Sequence, residues 1–193
     1  MRVLVACEYS GTVRDAFARS GHEAWSCDFE PQETPGNHVQ CDVLTILDQG
    51  WDLMVAHPPC QRLCVSGARW KYEKPGWVAE QEEALALVRA LLDAPIPKIA
   101  LENPVGIIST RIRPPTQVIQ PWMFGHPETK ATCLWLKGLK PLQRTHRRGD
   151  MFCAEEPDDR EARVHKLPPG PERKKLRAWR YTNIAAAMAD QWG

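Results

Sequence analysis

One cysteine, one glutamate and a short turn rich in polar side chains mark where this chain could do chemistry. Cys60 follows Pro58 and Pro59 directly, at the end of the apolar run Leu53-Met54-Val55-Ala56. Each proline fixes its own φ and pushes the preceding residue towards an extended conformation, so the cysteine is held in a defined place. A thiol there can serve as a nucleophile once it loses its proton; the ordinary alternative is a buried cysteine that only fills space. A second apolar run, Ile99-Ala100-Leu101, ends in Glu102-Asn103-Pro104. Glu102 could give or take a proton beside the thiol, or simply end a strand at the surface. Asn103 could hold the loop or orient Glu102.

The turn Cys7-Glu8-Tyr9-Ser10-Gly11-Thr12 joins an apolar run to a helical pattern, which is how a nucleotide-type pocket is built at a helix amino terminus. Asp28 ends the next apolar stretch, where a carboxylate can accept from ribose hydroxyls. Asp42 follows a third element and could accept from an exocyclic amine. Taken singly, each acid reads as a cap or turn residue; with the first turn they favour an adenosine-containing ligand.

These residues need a scaffold. Residues 2–6 read as a buried strand and residues 12–20 as a helix, with Val13, Ala16 and Phe17 at helical spacing and Gly21 as the stop. Strands follow at 24–27, 52–56, 98–102 and 132–136, with a loop at 29–37 and a strong helix from Trp77 to Leu92. Residues 66–78, aromatic and charged, read as a loop or lid. Residues 104–127 contain five prolines around the short apolar run Val118-Ile119. A small-residue helix runs from Ile184 to Met188. Trp25, Trp51 and Trp135 border strands and read as core; Trp70 and Trp77 flank the lid and could be either core or surface. Strands alternating with helices predict an α/β protein, a three-layer sandwich around a mostly parallel sheet with right-handed crossovers.

At 193 residues the chain suits one domain spanning 1–193, with a sizeable core. Its net charge of +1 does not mark the whole molecule as a polyanion binder, but charge is uneven. Between Lys137 and Arg180 there are thirteen Lys or Arg against seven Asp or Glu, so this stretch is either a solvated surface or a face for nucleic acid. Residues 138–178 are long for a structureless loop, and read as a functional insertion or as partly disordered. Seven cysteines, no signal peptide and no apolar run of membrane length fit a reducing, cytoplasmic setting. No Cys-x2-Cys pair is present, and Cys60 and Cys64 have no complementary pair, so no metal is expected.

These motifs, in this order, resemble the DNA cytosine-5 methyltransferases. Pro58 to Gln61 matches the family's Pro-Pro-Cys-Gln, and Glu102-Asn103 matches its Glu-Asn pair, with Pro104 where Val is commoner. Ser66-Gly67 sits where the family's active loop carries small residues. The cofactor turn aligns with Cys7 to Thr12, Asp28 and Asp42 fall at the next two cofactor positions, and Thr182-Asn183-Ile184-Ala185 resembles the carboxyl-terminal helix that returns to the cofactor pocket. The resemblance implies a Rossmann-like fold that uses S-adenosylmethionine. The ligand would be held by Cys7, Glu8, Tyr9, Ser10, Gly11, Asp28, Asp42, Pro58 and Asn183. It also implies attack of Cys60 on C6 of a cytosine in DNA, with Glu102 gripping the base, Asn103 and Lys130 assisting, and methyl transfer to C5. A duplex substrate would have its base flipped out.

The chain departs from the family in three places. Glu128-Thr129-Lys130-Ala131-Thr132 stands for Gln-x-Arg-x-Arg, so Lys130 keeps one charge and Thr132 loses a guanidinium. Tyr9 stands where a glycine is usual. The basic stretch at 138–178 replaces a full target-recognition domain, as in short phage and prophage products, and would contact DNA phosphates without reading bases. Two alternatives remain: the same chemistry on a free cytidine nucleotide or single strand, and a non-catalytic module that binds nucleic acid or cofactor.

Overall fold

The computed structural model describes residues 1–65, 75–146 and 181–193. Seven strands form one sheet in the order β3-β2-β1-β4-β5-β7-β6. They are β1 (Arg2–Ala6), β2 (Glu23–Asp28), β3 (His38–Gln40), β4 (Leu53–Ala56), β5 (Lys98–Pro104), β6 (Gln117–Ile119) and β7 (Thr132–Lys137). Strands β3, β2, β1, β4 and β5 are mutually parallel. β7 runs antiparallel between β5 and β6. The chain moves outward from β1 to β3, then returns to place β4 on the other side of β1. That reversal opens a crevice at the carboxyl ends of β1 and β4, where open α/β sheets bind ligands.

The alternation of side chains along the central strands builds two cores. Leu4, Ala6, Met54, Ala56, Ile99 and Leu101 face helix α2 (Trp77–Asp93), meeting Leu85, Val88 and Leu91. Val3, Val5, Leu53, Val55 and Ala100 face the opposite way, towards α1 (Thr12–Arg19) and the carboxyl-terminal helix, here α4 (Thr182–Trp192). The short helix α3 (Ile108–Arg111) follows β5. Strands buried on both faces are apolar throughout, which is why β1 and β4 read as continuous runs. The expected α/β sandwich is therefore present, with a mostly parallel sheet between helical layers.

The differences from the sequence reading are local. β3 and β6, three residues each, carry too little apolar pattern to announce themselves and are set by pairing with β2 and β7. Trp25 is half-buried at the margin of the α2-side core, whereas Trp51 and Trp135 are buried in it. Trp77 is core too, with the Arg62 guanidinium 4.0 Å above its ring. Ser66, Gly67, Trp70 and most of the basic stretch at 138–178 lie outside the described residues. Among the described residues, no helix is long and apolar enough to cross a membrane.

Candidate active site

Where the parallel register of β1, β4 and β5 ends, three side chains able to carry chemistry come next. The last in-register pairs are Ala6 with Ala56, and Ala56 with Leu101. The next residues on β1, β4 and β5 are Cys7, His57 and Glu102. By the two-residue period of a strand, His57 and Glu102 share the face of Val55 and Ala100, the α1/α4 side, whereas Cys7, with its positive φ, packs against the α2-side core. All three line one cavity of about 230 Å³ at the carboxyl edge of the sheet. Its polar part is completed by Glu8, Ser10, Lys130 and Thr132, and its apolar wall by Val13, Ile119, Ile184, Ala185 and Met188. Tyr9 and Tyr181 also line it.

Asn103 has the opposite parity and faces away from Glu102. It is 1% exposed, and its Nδ2 donates to the Pro58 carbonyl at 2.8 Å. Of the two roles open to it in the sequence, holding the loop is the one its bond performs. The loop is tied down further along as well. The Cys60 carbonyl accepts from Leu63 N (3.0 Å) and Cys64 N (2.9 Å). Ile107 N donates to the Leu63 carbonyl at 2.8 Å, and Val65 N to the Val105 carbonyl at 3.1 Å. Cys60 thus heads a fixed turn and is partly exposed. It does not line the cavity that holds Glu102, and neither does Pro58.

The first turn is arranged around Glu8. Cys7 adopts a left-handed backbone (φ 59°), uncommon for a residue with a side chain. Glu8 is buried, and its Oε1 accepts from Val13 N (2.8 Å) and Ser10 Oγ (2.9 Å), while Oε2 accepts from Arg14 N (3.2 Å). A carboxylate therefore already occupies the amino terminus of α1, where the sequence left room for an anionic ligand. Gly11 (φ 78°) lies behind this turn and does not line the cavity; a Cβ there would fall 2.2 Å from Thr34 Oγ1.

The remaining expected ligand residues hold local bonds. Asp28 Oδ1 accepts from Glu30 N and Asp42 Oδ1 from Leu44 N, each at 3.0 Å. Neither lines the cavity, yet both charges reach Cys7. Burial first, then Asp28 and Asp42, push its thiol up to about 12. Asn183 Nδ2 donates to the Phe124 carbonyl at 2.9 Å, which docks α4 rather than lining the cavity.

The sequence reading missed His57. Its Nδ1 lies 3.2 Å from Glu102 Oε2, with side-chain exposures of 25% and 21%. An ionised carboxylate only accepts, so the ring donates Nδ1–H. Burial alone would drive both groups neutral. At His57 this is outweighed by the bond and charge of Glu102 and the charge of Glu8, so its pKa is raised. At Glu102 it is outweighed by the bond and charge of His57 and the charge of Lys130, so its pKa is lowered. The signal was present in the sequence: His57 and Glu102 each follow a buried apolar run, at the same parity.

Comparison with solved structures finds, among others, the crystal structure of a proposed DNA modification methyltransferase encoded within a prophage (E. coli). The TM-score is 0.44 and the identity 14%, over 70% of this chain and 46% of that one. This chain aligns with less than half of that protein's length. No family model and no curated protein matches.

Proposed function

We propose that this chain is an S-adenosylmethionine-dependent methyltransferase acting on C5 of cytosine in DNA, on a Rossmann-like methyltransferase fold. The observation that carries the reading is the single cavity joining the first turn after β1 to Glu102 at the tip of β5. This supports the reading because the resemblance would put the cofactor at the first turn and the base at Glu102.

The chemistry of the walls fits that cofactor. A phosphate would meet the Glu8 carboxylate at the α1 terminus, so the pocket disfavours dinucleotides and nucleoside phosphates there. An adenosine linked to a sulfonium carries no phosphate, and its apolar parts suit Val13, Ile184 and Met188. Cys7, Glu8, Tyr9 and Ser10 would border it, with Asp28 and Asp42 contributing charge from the neighbouring strand tips. When bound, it supplies an electrophilic methyl group.

In this reading Cys60, held by the Pro58–Asn103 brace, adds as thiolate to C6 of the ring. Glu102 binds the N3 and amine edge of the base, and Lys130 lends positive charge beside it. C5, made nucleophilic, takes the methyl group; the C5 proton then passes to water, the C–H electron pair restores the C5–C6 double bond, and the C6–S bond breaks to release the thiolate. Cys7 lines the same cavity, but with a pKa raised to about 12 it stays a thiol at neutral pH and is a poor nucleophile. Basic residues of 138–178 would bind phosphates, with affinity that falls as salt rises.

Quantifying 5-methylcytosine by mass spectrometry after incubation with S-adenosylmethionine tests the reading, using duplex DNA, single-stranded DNA and dCMP as substrates. Wild type is expected to methylate DNA and Cys60→Ala to make no product. Full activity in Cys60→Ala removes the assigned nucleophile, and transfer to dCMP alone moves the substrate to the free nucleotide.

A further inference from the structure

The cavity holds a titratable pair of which the methyl-transfer reading uses only Glu102 and leaves His57 without a role. His57 and Glu102 sit side by side at the tips of β4 and β5, bonded through Nδ1 and Oε2 at 3.2 Å, and both line the hollow. Two charged groups bear on the pair. Glu8, from the turn after β1, favours the charged ring; Lys130, from the segment before β7, disfavours it; and Lys130 also favours the ionised Glu102. Glu102 in turn acts on the Cys133 thiol of β7. Among the described residues His57 Nε2 is buried with no hydrogen-bond partner, so the ring's polar engagement runs through Nδ1 to Glu102 alone.

A carboxylate that only accepts can grip an amine, but it has no proton to give. A nitrogen heterocycle that gains a nucleophile needs one at its ring nitrogen. We propose that His57 and Glu102 form one acid–base unit, in which His57 is the positioning residue that stores a proton on Nδ1 for Glu102 to pass to a ring nitrogen of the bound base. This rests on the cytosine reading for its ligand and on the pair's geometry for its chemistry. As the thiolate adds, the Nδ1–H bond breaks and an O–H bond forms on Glu102; that O–H then breaks as N–H forms on the ring. When the thiolate leaves, the proton returns along the same path, so none is consumed. The ligand class follows: a ring edge with a nitrogen acceptor beside an N–H donor.

Charge on the ring is retained above the usual histidine value and lost as pH rises through the raised one, so the unit works on the acid side of that point. The experiment is an NMR titration of the His57 ring in the full chain, in wild type, Glu102→Gln and Lys130→Met. Expected is a pKa above 6.5 in wild type, a fall in Glu102→Gln and a rise in Lys130→Met. Opposite shifts from the two variants are not produced by simple loss of structure. In parallel, His57→Gln should lower kcat at least about tenfold and abolish the basic limb of its pH profile, leaving KM for S-adenosylmethionine unchanged. A His57 that titrates at or below its ordinary value, or ignores Glu102→Gln, overturns the proposal, as does an unchanged kcat profile in His57→Gln. If wild type transfers no methyl group to any cytosine substrate, the cytosine reading falls, and the titration still decides the proton-sharing pair.

Discussion

Cys7 directly follows β1 and Cys60 lies four residues beyond the end of β4, and it is Cys7 whose surroundings hold its proton in place. Cys7 is half-buried under the charges of Asp28 and Asp42, which together with burial hold its proton on. It should therefore react slowly with iodoacetamide at pH 8 although it lines the cavity, and peptide mapping should find Cys60 labelled first. Equal labelling of the two would contradict this. The His57–Glu102 pair makes a second prediction at this scale. A raised histidine stabilises the fold fully below the unfolded histidine value, and this is lost as pH rises through the folded one. A lowered glutamate stabilises it above the unfolded carboxyl value, and this is lost as pH falls through the folded one. The pair thus contributes most between the ordinary values of 4.5 and 6.5. Urea denaturation across pH should show Glu102→Gln losing stability relative to wild type chiefly within that window. The place of Glu102 in the cavity was legible in the sequence, because chemistry-bearing residues rarely end apolar runs, whereas Cys60, singled out on the same ground, stands outside that cavity. His57 was not legible, because it stands before two prolines and reads as part of the loop until the strand parities are set side by side.

At the scale of elements, the loop from Pro58 to Val65 is held by β5 and its extension. Gly106 lets the two backbones meet, since a Cβ there would fall 1.9 Å from the Leu63 carbonyl. Gly106→Ala should push the loop outward and cost about 1–3 kcal/mol, read by urea denaturation, and should raise hydrogen exchange at Leu63 and Cys64. Wild-type exchange in that variant would show that the contact does not fix the loop. The first βα turn was legible as a pocket, but not that Glu8 occupies it from within. Glu8 lies five and six residues before the two helical N–H groups it caps, and the turn that starts at the positive φ of Cys7 brings it back to them. For the same reason Asp28 and Asp42 look like ligand residues in sequence and hold turns in the structure.

Across the whole molecule, the end of the chain completes what its beginning starts. Helix α4 packs against α1 and supplies Ile184, Ala185 and Met188 to the cavity wall. Asn183 bonds to the Phe124 carbonyl and Trp192 Nε1 to the Lys140 carbonyl at 3.0 Å, fixing the helix at both ends. Met188 is 1% exposed, so Met188→Ala should cost about 2–5 kcal/mol in thermal or urea denaturation. It should also weaken adenosine-ligand binding measured by calorimetry, whereas a loss below 1 kcal/mol would mean the wall closes around the gap. The central strands and both long helices could be read from period alone, since burial on two faces or on one stripe leaves a plain pattern. The edge strands could not, because their partners define them. The account stands on Cys60 as the nucleophile. The most direct measurement is mass spectrometry of the protein after reaction with S-adenosylmethionine and DNA carrying 5-fluorocytosine, whose C5 has no proton to lose once methylated. The account predicts a trapped adduct on the peptide containing Cys60; an adduct on another cysteine, or methylated product from normal DNA with no adduct at all, would contradict it.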